Sequence, residues 1–101
     1  MKRFGITIVL TLATIAPAIA NPALAKKRNC MACHTVEKKV VGPSFKDVAA
    51  RYANQADASD ALATKIMKGG RGSWGAVPMP ANPQVSEIEA KQLATWALSF
   101  K

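Results

Sequence analysis

Residues 29–35 read Asn-Cys-Met-Ala-Cys-His-Thr, and this stretch holds both cysteines, Cys30 and Cys33, and the only histidine, His34, of a 101-residue chain. Three chemistries use such a cluster. A structural zinc site takes four ligands, and no further cysteine or histidine exists to complete one. A dithiol redox pair of the thioredoxin kind sits in a βαβ unit and needs no histidine after it. The third reading is C-x-x-C-H, the attachment sequence for c-type haem. Its spacing follows from the ring: each sulfur adds across one vinyl group to give a thioether. Two intervening residues let a single helical turn present both sulfurs to one edge, and the next residue brings its imidazole beneath the iron. The pattern uses every Cys and His in the chain, so haem is the reading that accounts for all of them.

A histidine on one side of the iron leaves the other side to be filled, and no second histidine exists. Of the four methionines, Met1 lies in the leader and Met31 inside the attachment loop. Met67 falls in a helical stretch beside Ile66, where core or surface packing is the simpler role. Met79 stands between Pro78 and Pro80. Proline fixes its own φ and biases its predecessor toward extended backbone, so Pro-Met-Pro holds the thioether on a stiff strut. Met79 is therefore the expected distal ligand; a loop methionine packed on the core, with lysine or water on the iron, is the alternative.

The remainder of the chain reads as helices around a gap. Asn21-Pro22 is a helix opening, and the helix runs through LAKKR to stop near Asn29. Phe45, Val48, Ala49 and Tyr52 recur at helical spacing, as do Ala58, Leu62 and Ile66 in a segment that ends at Gly69-Gly70. In the last segment Ser86 and Glu89 have capping-box spacing, with Ala90, Leu93, Ala94, Ala97 and Phe100 as the buried stripe. No stretch alternates as a half-buried strand does. Residues 71–85 form a long irregular loop, RGSWGAVPMPANPQV, in which Trp74, Val77 and Met79 call for burial. Alanine-rich helices with so few large side chains pack a thin core, and a large flat apolar group completes it.

The first twenty residues differ in kind. Lys2 and Arg3 precede an apolar run from Phe4 to Ile15, and Ala18-Ile19-Ala20 supplies the small residues a signal peptidase reads. A membrane anchor is the competing reading, but the run is short of the roughly 20 apolar residues a span requires and ends at Pro17. The expected division is a signal peptide at 1–20, cleaved after Ala20 rather than Ala25, and one domain at 21–101. The whole chain has 14 Lys and Arg against 6 Asp and Glu, a net charge of +8. Without Lys2 and Arg3 the domain carries +6, which falls by two once haem propionates ionise.

CMACH, VGPSFKDVAARYA, GGRGSWGAVPMPAN and AKQLATWALSFK together resemble, in order and spacing, the small bacterial class I cytochromes c of the c-551/c-552 type. The similarity spans Asn21 to Lys101. It implies an all-α fold of four to five short helices wrapped around one haem c attached through Cys30 and Cys33, with His34 and Met79 on the iron. It further implies that the Pro43 carbonyl accepts from the far nitrogen of His34, that Trp74 lies beside the haem and donates to a propionate, and that Asn82 places its amide near the Met79 sulfur. Core filling for Trp74 and a loop turn for Asn82 are the plainer alternatives. Ala81 departs from the second trailing proline of many relatives and leaves more backbone freedom after the ligand. Asn29 stands where relatives often have glycine, in a place that tolerates left-handed backbone.

The implied function is periplasmic shuttling of single electrons, as a monomer, between respiratory redox proteins such as cytochrome cd1-type nitrite reductase, terminal oxidases and other c-type cytochromes. A six-coordinate His–Met haem has no open position for substrate, which argues for a carrier and not an enzyme. A small peroxidase or gas sensor becomes the alternative if Met79 leaves the iron. Lys26, Lys27, Arg28, Lys38 and Lys39 bracket the attachment site and are candidates for steering acidic partners, or simply a solvated face. Nucleic acid and a membrane-embedded position are not expected.

Overall fold

The computed structural model describes residues 4–11 and 21–101. Residues 4–11 have no secondary structure and are exposed. The cleavage point expected after Ala20 lies outside the described residues, as do most of the flanking positions. Four α-helices and one 3₁₀ turn make up the domain: α1 Asn21–Lys27, the turn Cys30–Ala32, α2 Phe45–Tyr52, α3 Ala58–Lys68 and α4 Glu87–Leu98. Among the described residues there is no strand, only two isolated bridges, His34 with Lys39 and Gly70 with Met79.

Each helix begins and ends where its residues require. α1 buries Leu24 and Ala25 and stops because Asn29 takes left-handed backbone, φ 65° and ψ 19°. It is the one non-glycine residue with positive φ among those described, and asparagine tolerates that region better than most side chains. Ser44 starts α2: its buried hydroxyl accepts from the Asp47 amide at 3.1 Å, satisfying one of the helix's unpaired N–H groups. Ser86 and Glu89 close a full capping box at the head of α4, with bonds of 3.1 Å in both directions. α3 ends at Gly69, whose φ of 74° and ψ of −177° lie in a region essentially confined to glycine.

The faces that periodicity assigns to the core are the faces that are buried. Phe45, Val48, Ala49 and Tyr52 of α2 and Ala90, Leu93, Ala94 and Ala97 of α4 are all inside. α4 is the hub, packing most extensively on α3 and also on α2 and α1. Phe100, expected on the same stripe, lies beyond the end of α4, half-buried in an aromatic group with Phe45 and Trp96. The cluster itself is small: Leu24, Leu62, Leu93, two valines and Tyr52 with five alanines. α1 is fastened to α4 by Arg28, which donates to Glu89 through Nε at 3.2 Å and Nη2 at 2.9 Å.

Candidate haem site

Beside that thin core opens a cavity of about 270 Å³, bordered by Cys30, Cys33, His34, Pro43, Trp74, Met79 and Asn82 among others. Folded interiors seldom leave voids larger than a water molecule, so this space is a candidate binding site. All seven side chains singled out from sequence border it, although they come from the 3₁₀ turn, the following loop and the 71–85 loop. Met31 is absent from its wall and lies exposed; Met67 packs against the core instead.

The 3₁₀ turn delivers the two cysteines. Both are free and half-buried. Burial pushes the Cys30 thiol up, and hydrogen bonding at its own backbone only partly offsets that. Redox-exchanging cysteines work by the opposite shift, toward thiolate. Among the described residues no group of three or more His, Cys, Asp or Glu side chains could hold a metal ion. The zinc reading thus lacks its ligands, and Cys30 lacks the lowered thiol of a disulfide-exchange centre.

His34 is held firmly on the chain side. Its Nδ1 donates to the Pro43 carbonyl at 2.7 Å, so in the neutral ring Nε2 is the nitrogen without a proton, the one able to bind a metal. Phe45 stacks on it at 5.2 Å between centroids and 22° between planes. The loop between them is closed by the Gly42 amide donating to the Cys33 carbonyl at 2.8 Å.

Met79 is held on the end of α3. The Gly70 amide donates to the Met79 carbonyl at 3.0 Å, and the Met79 amide returns a bond to the Gly70 carbonyl at 2.8 Å. Asn82 completes the joint. Its side-chain amide donates to the Ile66 carbonyl at 2.8 Å and to the Pro80 carbonyl at 3.3 Å, while its backbone amide donates to the Met67 carbonyl at 3.2 Å. The last carbonyls of a helix have no partner within it; here the ligand loop supplies one for Ile66 and one for Met67. Both amide hydrogens of Asn82 thus go to carbonyl oxygens.

Trp74 is half-buried against the core, with the Arg51 guanidinium 4.5 Å above its ring. Arg51 also donates to the Ser73 carbonyl, and Lys65 donates to Tyr52 Oη and Ser73 Oγ, both at 2.9 Å. Lys65 and Arg71 border the cavity beside Trp74, giving this stretch of the wall a positive character. Sequence reasoning missed Arg51, Tyr52 and Lys65. Their meeting depends on how α2 crosses toward α3, and no local spacing encodes that. Val77 was expected to be buried but is 62% exposed; it lies on the cavity rim, so the helices alone do not cover it.

Comparison with known proteins points one way. The family model described as cytochrome c matches residues 20–101. The cytochrome c-552 of Hydrogenobacter thermophilus is 55% identical over 102 residues, with 100% of both chains covered. The cytochrome c-551 of Azotobacter vinelandii is 56% identical over 78 residues, covering 77% of this chain and 94% of that one. Among solved structures, the crystal structure of wild-type Nitrosomonas europaea cytochrome c552 superposes with a TM-score of 0.78 at 56% identity, covering 79% of this chain and 99% of that chain.

Proposed function

The chain belongs to the cytochrome c family, and from that premise we propose that it is a periplasmic carrier that takes one electron from a respiratory donor and passes it to an acidic redox partner. As a family member it carries one covalently bound haem c and moves electrons; the compartment, partners and ligand assignments are our reading. One observation carries it: two thiols on one turn, an imidazole with its outer nitrogen already bonded, and a thioether on a braced loop border a single apolar cavity.

The residues present fit the group. Cys30 and Cys33 are thiols of the kind that add across vinyl groups, and His34 offers Nε2 as the proximal ligand. Met79 offers a soft, neutral sulfur as the distal one, and Val77 on the rim is covered once the cavity is filled. Trp74, Lys65 and Arg71 suit the anionic propionate end. Haem c supplies the one-electron ferric/ferrous couple. The protein determines how easily that couple turns over. A thioether ligand favours the ferrous state relative to a second imidazole, and apolar walls disfavour the extra positive charge of the ferric state. Pro43 holds His34 on one side and the Gly70–Met79 joint holds the sulfur, so neither ligand need rearrange as the charge changes.

Export is supported by the basic start, the apolar run, the small residues at 18 and 20, and a family match that begins at residue 20. Among the described residues no helix is long and apolar enough to cross a membrane. For docking, Lys26, Lys27, Lys38 and Lys39 are exposed, and Lys39 borders the cavity. Arg28 drops out of the proposed steering set because Glu89 occupies it.

The test is mass and spectrum of the protein purified from its native host. Its mass should exceed that of residues 21–101 by one haem. The ferric form should show the methionine-to-iron charge-transfer band near the red end of the visible range, and the ferrous form should ignore carbon monoxide. A bare polypeptide mass refutes the haem assignment; ready carbon monoxide binding refutes Met79.

A further inference from the structure

Gly42 has no conformational reason to be glycine. It is not among the glycines with positive φ, so any L-residue could adopt its backbone. Space is the constraint. A Cβ built on Gly42 would lie 2.5 Å from Cε1, 2.8 Å from Nδ1 and 3.0 Å from Nε2 of His34. An atom 2.5 Å beyond Cε1 in the plane of the ring would be well over 3 Å from both nitrogens. The near-equal short distances therefore put the Cβ position over the face of the imidazole. The main chain at residue 42 passes close over that face and is fixed there from both directions: its amide donates to the Cys33 carbonyl at 2.8 Å and its carbonyl accepts from Val40 at 3.3 Å.

We propose that Gly42 is a positioning residue for the proximal ligand, its bare backbone acting as a stop that sets the rotational angle of the His34 ring. The inference rests on the reading of His34 as that ligand. The Pro43 bond fixes where Nδ1 points and restrains the turn about Cβ–Cγ, but a single hydrogen bond tolerates a range of ring angles. Backbone set close over one face narrows that range, and the near-parallel Phe45 ring at 5.2 Å limits it further. The angle of the imidazole plane decides which iron d orbital its π electrons meet. Gly42 therefore acts on the electronic structure of the ferric site without touching the iron. A methyl group at this position cannot be accommodated by a flexible tip, because the ring it meets is short and tied at both ends.

Gly42→Ala in the holoprotein tests this. The readouts are the g values of the ferric form and the order of the four haem-methyl resonances, both set by ligand-plane angle, measured beside thermal stability. The proposal expects displaced g values and a changed methyl order while the methionine charge-transfer band persists. Parental g values and parental methyl order in Gly42→Ala overturn it. If the single variant yields no holoprotein, Gly42→Ala is combined with Phe45→Leu, which frees room beside the same ring. Recovery with displaced g values supports the proposal; recovery with parental values, or no recovery, overturns it. A parent protein lacking the His–Met signature would remove the ligand reading itself, a failure distinct from a normal parent with an unresponsive variant.

Discussion

Replacing Gly69 by alanine should loosen the distal ligand from outside the cavity. Gly69 combines φ 74° with ψ −177°, a conformation that costs a non-glycine residue about 1–3 kcal/mol. The added Cβ would also stand 2.5 Å from the Met79 carbonyl oxygen and 2.8 Å from the Ala81 nitrogen, both backbone atoms. Relief requires the strand at Met79 to back away from Gly70, which sacrifices at least one bond of the reciprocal pair, about 1 kcal/mol. The total is about 2–4 kcal/mol, and a domain of this size loses roughly 4–8 °C in Tm per kcal/mol. We expect Tm of the ferric holoprotein to fall by roughly 10 °C or more, with the charge-transfer band weakening at temperatures well below the transition. Equal melting of the parent and the Gly69→Ala protein, with an undiminished band, would refute the claim that the end of α3 braces Met79.

Three further outcomes follow from other parts of the molecule. Glu89 is held below the ordinary carboxylate range, first by the Ser86 amide and then by the Arg28 guanidinium; its contribution is complete above the unfolded value of about 4.3 and is lost as pH falls through the lowered folded value, so Glu89→Gln should flatten the acid limb of Tm against pH, and parallel curves would contradict this. Met79→Ala should admit carbon monoxide to the ferrous protein and abolish the charge-transfer band, whereas Met67→Ala should do neither; absorption spectra decide. Cys30→Ala with Cys33→Ala should leave a largely unfolded apoprotein, and a cooperative thermal transition by circular dichroism would show that the helices suffice by themselves.

How much of this was legible in sequence depended on range. Helix limits were, where their causes are local: the serine at 86, the Asn21-Pro22 opening and the Gly69-Gly70 exit act within one turn of chain. The buried faces of α2 and α4 were readable for the same reason. The cavity's membership was readable through chemistry, since attachment demands Cys30, Cys33 and His34 together and Pro-Met-Pro marks a rigid strut. What escaped was any contact set by how elements cross. Arg28 looked like a free surface cation until Glu89, 61 residues away, was found beside it. The Arg51–Trp74 and Lys65–Tyr52 contacts depend on helix packing, as does the use of Asn82 to finish α3. Val77 misled because its apolar side chain stands at the edge of the cavity and not in the protein core.

The reciprocal bond between Gly70 and Met79 makes residues 71–78 a closed excursion, pinched at its neck. Insertions or deletions at its tip leave the neck where it is, so the length of this loop can drift between descendants without disturbing the sulfur. One residue added between Ile66 and Gly70 would instead move the neck along the helix axis and carry Met79 with it. Length variation should therefore spare the sulfur on one side of this pinch and break its ligation on the other, which makes the neck the fixed point from which the placement of Met79 is measured.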